Sequence, residues 1–385
     1  MKITFVKAGG FNLSGGDRVI AMYAKHLKDR GHEVLVIATP PDHPSLFDQL
    51  RGLLKGEKLT LKKKKLASHF DNLDIQCQVI DRIRPITDGD LPDADVVIAT
   101  WWETAEWVVN LSPAKGAKVY YIQHHEVFEY LPVERVAATY SLPMHKITVS
   151  QWLIDVMRTQ YGDHNVSLVL PSVDPEQFCS PPRTKQSIPT VGMIYSTASW
   201  KGSDICLKAF SLAKKKVPNL RLVAIGNAAN ENLPPEFGDG SSTEFVYPVA
   251  QKDLKNFYGK CDAWLLGSRS EGFGLPILEA MACRTPVIST PAGAAPELLS
   301  DGAGMLVKHE DPQDMALAIE RMCKLNHAEW QTMSDAAYAK VQNYTWDDAI
   351  ELFEAALQTA IKRTKKDEFL APETLQDVAR QLEYV

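Results

Sequence analysis

The chain has 385 residues, 45% hydrophobic and 23% charged, with a formal net charge of −6. That is more chain than a single hydrophobic core organises, so a globular protein of two ordinary domains is expected. The acidic balance speaks against nucleic acid as a partner, and no apolar run approaches the roughly 20 residues that span a bilayer.

Taken in order, residues 1–7 are too short and too interrupted for a signal peptide and read as a first strand. Six cysteines without CxxC pairs or zinc-spaced histidines read as reduced thiols of a cytoplasmic protein. Further strands are expected at 33–38, 75–80, 95–100, 118–122, 146–149 and 166–170, with a helix over 18–30 closed by Gly31. Residues 180–189, rich in proline and polar side chains, mark a linker. The pattern then restarts, with strands at 190–194, 220–225, 244–246, 263–266, 286–289 and 304–307. Short apolar runs between amphipathic stretches predict an α/β protein with parallel, buried strands. Two doubly wound domains, 1–180 and 190–343, would face a central cleft lined by the carboxyl ends of their strands. Residues 344–385 read as C-terminal helices crossing back toward the N-terminal domain. The first, near 346–365, carries the apolar stripe Ile350, Phe353, Ala356, Leu357 and Ile361; a second falls at 373–382.

The most informative segment is 270–279, Ser-Glu-Gly-Phe-Gly-Leu-Pro-Ile-Leu-Glu. Glu271 and Glu279 flank a glycine-rich turn that runs into Pro276, a residue suited to the first helical position. The amides of Gly272, Phe273, Gly274 and Leu275 are then free at a positive helix end, and the glycines allow close approach to backbone. That is an anion site suited to phosphate. Glu279, one turn into the helix, is placed to accept two hydroxyls, as from a ribose.

Other nucleotide chemistries fit less well. The loop after the first strand, from Gly9 to Asp17, lacks the GxGxxG spacing, and Thr39 and Pro40 stand where a dinucleotide fold needs an acid. Asp17 follows Gly16 where a P-loop needs lysine. The Gly15-Gly16 turn therefore suits a diphosphate or an acceptor sugar, or is simply a strand-to-helix connection.

The Glu-x7-Glu segment resembles the retaining, nucleotide-sugar-dependent glycosyltransferases of family 4, which have the GT-B fold of two Rossmann-like domains. Residues 280–289 and 293–302 follow that family's usual continuation. Gly15, Gly16 and Arg18, residues 31–34, Ser150, Val173, Asp174, Phe178, Lys201 and Gly202 fall at its stations. Residues 100–105 and 120–126 also look like a bacterial surface-polysaccharide branch that includes rhamnosyltransferases. The resemblance implies a hexosyl- or deoxyhexosyltransferase passing sugar from a nucleoside-diphosphate sugar to a glycan or lipid-linked acceptor. By the same resemblance Glu279 binds the ribose, Glu271 the transferred sugar, and Lys201 with the amides of 272–275 the diphosphate. Gly15 and Gly16 also belong to the donor site. No metal and no cofactor are expected, because amides and a lysine already meet the leaving group's charge.

The resemblance implies an N-domain histidine on the donor sugar; His124 and His125 are both available, and His124 is taken, with Lys201 and Glu271, as the catalytic group. Trp101 and Trp102 line a sugar site or pack in the core. The arginine that usually precedes the family's lysine is missing from 192–200, so Arg269 or another group takes its place, or Lys201 works alone. Asp93 and Asp95 imitate a metal-binding Asp-x-Asp but precede a strand and read as structural. Base recognition is expected around 247–250. The run from Lys55 to Lys65 is either a solvated face or a contact with an anionic membrane on its cytoplasmic side. A GT-B phosphorylase, a sugar-phosphate synthase and a non-catalytic nucleotide- or glycan-binding protein are the alternative functions.

Overall fold

The computed structural model describes residues 1–41, 67–226, 232–237 and 242–369. They form two compact units. One takes Met1–Thr148, Leu153–Val169 and the chain from Ile350; the other takes Val149–Trp152 and Leu170–Ala349. The run from Lys55 to Lys65 and the helix expected at 373–382 lie outside the described residues.

In the first unit the chain runs β1 (Lys2–Lys7), α1 (Gly15–Asp29), β2 (Glu33–Ala38), β3 (Gln76–Val79), β4 (Val96–Ala99) and α2 (Trp102–Val109). It continues through β5 (Ala117–Ile122), α3 (Val133–Thr139), β6 (His145–Thr148), α4 (Gln151–Tyr161) and β7 (Ser167–Leu168). The sheet order is β3-β2-β1-β4-β5-β6-β7, and all its pairings are parallel. In register, Phe5 lies between Val36 and Ile98. The central strands are buried as their apolar runs demand, but β3 is exposed along its length. Its Gln-Cys-Gln-Val sequence suits an edge strand and departs from the expectation of buried strands throughout. Helix α1 begins three residues ahead of its expected start because Ser14 caps it, accepting the Asp17 amide at 3.2 Å.

The second unit contains β8 (Thr190–Tyr195), α5 (Ser203–Lys214), β9 (Arg221–Gly226), β10 (Thr243–Val246), α6 (Leu254–Tyr258) and β11 (Ala263–Leu266). After these come α7 (Leu275–Ala282), β12 (Val287–Ser289), α8 (Ala295–Leu298), β13 (Gly304–Leu306), α9 (Pro312–Lys324) and α10 (His327–Val341). Its sheet order is β10-β9-β8-β11-β12-β13, again parallel. Leu222, Ala224, Leu265 and Ile288 from the strands pack with Ile205, Ala209 and Phe210 of α5 and with Met315, Ile319 and Met322 of α9.

The last described helix, α11 (Trp346–Lys365), enters the first unit at Ile350. Its stripe explains why: Ile350, Phe353, Ala356, Leu357 and Ala360 are buried, Ile361 partly so. Phe353 stacks on Tyr23 at 4.4 Å and meets Tyr121 edge-on at 5.4 Å. Burying a side chain of that size contributes about 2–3 kcal/mol. Glu354 beside it accepts from Arg30 Nη1 at 2.6 Å. Among the described residues no helix is long and apolar enough to cross a membrane.

Each sheet changes direction of winding at one place, between β1 and β4 in the first unit and between β8 and β11 in the second. The carboxyl ends of strands at such switch points open a crevice where α/β proteins bind ligands.

Candidate functional site

In the second unit, the loops that leave β8 and β11 meet at the switch point. Gly202, at φ 59°, and Gly267 approach so closely that a Cβ on Gly202 would stand 1.8 Å from Gly267 O. Only glycine fits there. The Arg269 amide donates to Trp200 O at 2.8 Å, which ties the two loops further. This contact carries Lys201, 70 residues earlier in sequence, to Glu271. Lys201 Nζ lies 2.9 Å from Oε1 and 3.1 Å from Oε2, and Ser268 Oγ donates to Oε1 at 2.8 Å. The Glu271 side chain is 10% exposed and that of Lys201 41%, so the ammonium lies at the rim and the carboxylate beneath it.

Beyond Glu271 the chain turns through Gly272, Phe273 and Gly274, the last at φ 99° as the cap of α7. Pro276 is the second helical residue rather than the first, because Leu275 already has helical geometry. All three turn residues are buried. Their amides donate to none of the described residues. Buried amides without an acceptor within the chain are rare in folded proteins, and the start of a helix is a place suited to an anion. The carbonyls of the turn, by contrast, are paired: Gly272 O accepts from Ser150 Oγ at 2.7 Å and Trp152 Nε1 at 2.8 Å, and Phe273 O from the Ala294 amide at 2.9 Å.

Glu279 follows on α7, only 4% exposed. Its Oε2 accepts from Tyr258 Oη at 2.6 Å, a short O–H···O hydrogen bond. Tyr258 closes α6 and is itself fully buried, tilted against Trp264 at 4.3 Å. The structure thus gathers Lys201, Glu271, Gly272, Phe273, Gly274, Leu275 and Glu279 along one loop-and-helix edge. Arg269 is not an arginine in waiting there. Its guanidinium spans Asp204 at 3.0 Å, Ser199 O at 2.6 Å and Glu310, and these acceptors raise its already high pKa.

The first unit's expected residues also cluster at its switch point. Gly15 and Gly16 open α1 after β1, Trp101 and Trp102 follow β4, and His124 and His125 follow β5. A Cβ on Gly16 would lie 3.5 Å from Gln123 Nε2, so the glycine turn and the histidine loop are close neighbours. Beneath the turn, Lys7 Nζ pairs with Asp17 at 3.1 Å and donates to Ala8 O and Gly10 O. The two histidines differ in kind. His125 Nε2 contacts Tyr161 Oη at 2.8 Å, its ring packs on Tyr140, and burial, with His124 beside it, pulls its pKa down to about 4. His124 Nδ1 contacts His125 O at 2.9 Å. A carbonyl only accepts, so in the neutral ring Nδ1 carries the proton and Nε2 the lone pair. Trp102 is buried with Arg135 over its ring, whereas Trp101 is partly exposed. Glu126 lies among them, 3% exposed, accepting the Trp102 amide at 3.1 Å; burial holds its carboxyl well above the usual range. Asp93 and Asp95 sit at the amino end of β4, paired with Lys115 and the Lys2 amide. Tyr258, Ser268 and Trp152 had no motif to reveal them.

Residues 181–340 match the family described as glycosyl transferases group 1. A D-inositol 3-phosphate glycosyltransferase from Stackebrandtia nassauensis is 26% identical over 250 residues, which cover 59% of this chain and 56% of that protein. The match thus spans little more than half of the relative's length. Among solved structures, Anabaena Alr3699/HepE in complex with UDP and glucose superposes with a TM-score of 0.68 at 18% identity, over 93% of this chain and 99% of that one. A sucrose-phosphate synthase from Thermosynechococcus elongatus superposes with a TM-score of 0.69 at 15% identity, over the same shares, 93% and 99%. The fold is GT-B.

Proposed function

We propose that this protein is a retaining, metal-independent glycosyltransferase. It moves a hexose or deoxyhexose from a nucleoside-diphosphate sugar to a glycan or lipid-linked acceptor, in cell-surface polysaccharide or glycolipid synthesis at the cytoplasmic face of the membrane. One observation carries the reading: three buried amides, Gly272 to Gly274, lack an acceptor and lie between the Lys201–Glu271 pair and the buried Glu279. A diphosphate supplies the missing acceptors, Glu279 takes the ribose hydroxyls, and Glu271 contacts the transferred sugar.

The chemistry follows from charge. As the glycosidic bond to phosphate lengthens, negative charge builds on the departing diphosphate. Amides and an ammonium already oriented toward it stabilise that charge without reorganising, so the reaction as read needs no metal ion. Contact with Glu271 keeps the long Lys201 side chain in place before substrate arrives. In the first unit, His124 and the Gly15-Gly16 turn contribute substrate contacts, and the lone pair on His124 Nε2 accepts a sugar hydroxyl.

The test begins with thermal-shift screening of UDP-, GDP- and dTDP-sugars, since the relative solved with UDP makes uridine the first base to try. Calorimetry on Glu279→Ala with the best nucleoside diphosphate follows; affinity is expected to fall at least ~10-fold, as when a buried charged hydrogen-bond partner is removed. No shift with any nucleotide sugar, or unchanged affinity in the variant, would sink the reading.

A further inference from the structure

We propose that Ser150 and Trp152 are positioning residues that aim the anion-binding amides of the Gly272–Gly274 turn. The proposal rests on the donor reading above and names the device that makes that site rigid.

A trans peptide is planar, with its N–H pointing away from its C=O. Fixing one carbonyl therefore fixes the direction of the next residue's amide. Gly272 O is held by two donors at once, Ser150 Oγ at 2.7 Å and Trp152 Nε1 at 2.8 Å. Together they fill both lone pairs of that oxygen, and they turn the Phe273 N–H to the opposite side. The next plane is held the same way. Phe273 O accepts the Ala294 amide at 2.9 Å, which directs the Gly274 N–H. Gly293 permits that approach: it sits at φ 62°, and a Cβ there would stand 2.5 Å from Phe273 O.

The turn needs such outside support because two of its three residues are glycines. Glycine peptides reorient at little steric cost, so the sequence 272–274 alone does not select the orientation in which its amides face a ligand. One hydrogen bond satisfies a buried carbonyl. A second from a fully buried serine hydroxyl adds resistance to rotation, which is what a preorganised charge-stabilising site requires. The donors also come from an unusual place. Val149–Trp152 is a four-residue piece that joins the second unit, while the chain on both sides of it belongs to the first.

The experiment compares wild type, Ser150→Ala, Trp152→Phe and the double variant by calorimetry. The ligands are UDP, GDP and dTDP, and the free nucleoside that matches whichever diphosphate binds tightest. Each single variant is expected to weaken the diphosphate about 3- to 10-fold and the double variant about 10- to 100-fold, the range for one and two hydrogen bonds. Nucleoside affinity should stay within about two-fold, because a nucleoside makes no use of the cradle. The ratio of the two affinities is the readout, since a damaged fold lowers both together. Parallel losses, or no loss, overturn the proposal. If wild type itself prefers none of the diphosphates over its nucleoside, the donor reading fails and the proposal with it. A wild-type preference that survives in the double variant defeats the proposal alone.

Discussion

Replacing Tyr258 with phenylalanine removes its hydrogen bond to Glu279, the residue proposed to hold the ribose. The phenol packs against Trp264 at 4.3 Å and Phe178 at 6.1 Å, and phenylalanine retains both contacts. What disappears is the 2.6 Å donation to Glu279 Oε2. Glu279 is 4% exposed, so water does not replace the donor freely. A hydrogen bond to a charged group contributes about 1.5–3 kcal/mol. In a unit of this size that corresponds to a fall in melting temperature of about 3–10 °C. Two units unfolding in one chain violate a two-state treatment, so calorimetric scanning should be read for the second unit's transition. Ligand binding offers the sharper measurement. With the Tyr258 donor gone the Glu279 carboxylate is less restrained, and holding it on a ribose costs additional entropy. Nucleoside diphosphate affinity should fall about 5- to 30-fold, while the matching 2′-deoxy nucleotide, which offers one hydroxyl fewer, should lose less. Melting and affinity both unchanged would mean that the phenol neither stabilises nor orients Glu279, and the reasoning fails. Equal losses for ribose and deoxyribose would place the effect elsewhere in the pocket.

Much of this site was legible because it is local in sequence. Gly272, Gly274 and Pro276 prescribe a tight turn into a helix by backbone geometry alone, and apolar runs such as 33–38 and 263–266 prescribe buried strands. The resemblance to known glycosyltransferases extended that reading to Lys201. Contacts that depend on packing left no such trace. No spacing rule links Tyr258 to Glu279, or Trp152 to a carbonyl 120 residues away. These partners meet because α6 and α7 and the segment 149–152 are brought together by the folded sheet. Arg269 shows the opposite difficulty. It was visible as a cation near Lys201, but Asp204 and Glu310, which claim it, approach only in the folded chain. The exposed β3 has the same origin: its residues look like a strand, and only its place at the sheet's edge leaves them uncovered.

Three other substitutions probe the same logic. Gly293→Ala forces a Cβ to within 2.5 Å of Phe273 O at φ 62°; thermal melts should show a loss of about 1–3 kcal/mol, and titration should show weakened diphosphate binding, whereas normal binding would mean that the Phe273 peptide does not shape the cradle. Arg269→Gln removes a partly exposed guanidinium committed to Asp204 and Glu310, so steady-state kinetics should give kcat within about three-fold of wild type and stability within about 1 kcal/mol; a kcat loss beyond about ten-fold would show that Arg269 serves the donor after all. His145 gives a pH test in the first unit. Its Nδ1 accepts from Arg363 Nη1 at 2.9 Å and its Nε2 faces Ser167 Oγ at 2.9 Å, a pattern only the neutral ring satisfies. Burial above all, with Arg363 adding to it, pulls its pKa from 6.5 to about 4. Between those values the unfolded chain binds the proton and the folded chain does not. The stabilisation is therefore complete above pH 6.5 and is lost as pH falls toward about 4, on the order of 3 kcal/mol in all. Urea midpoints measured from about pH 7.5 down to about pH 4.5 should decline less steeply in His145→Gln than in wild type, with His125, also held near 4, accounting for part of what remains. Identical slopes in the two proteins would mean that His145 is not kept neutral by the fold.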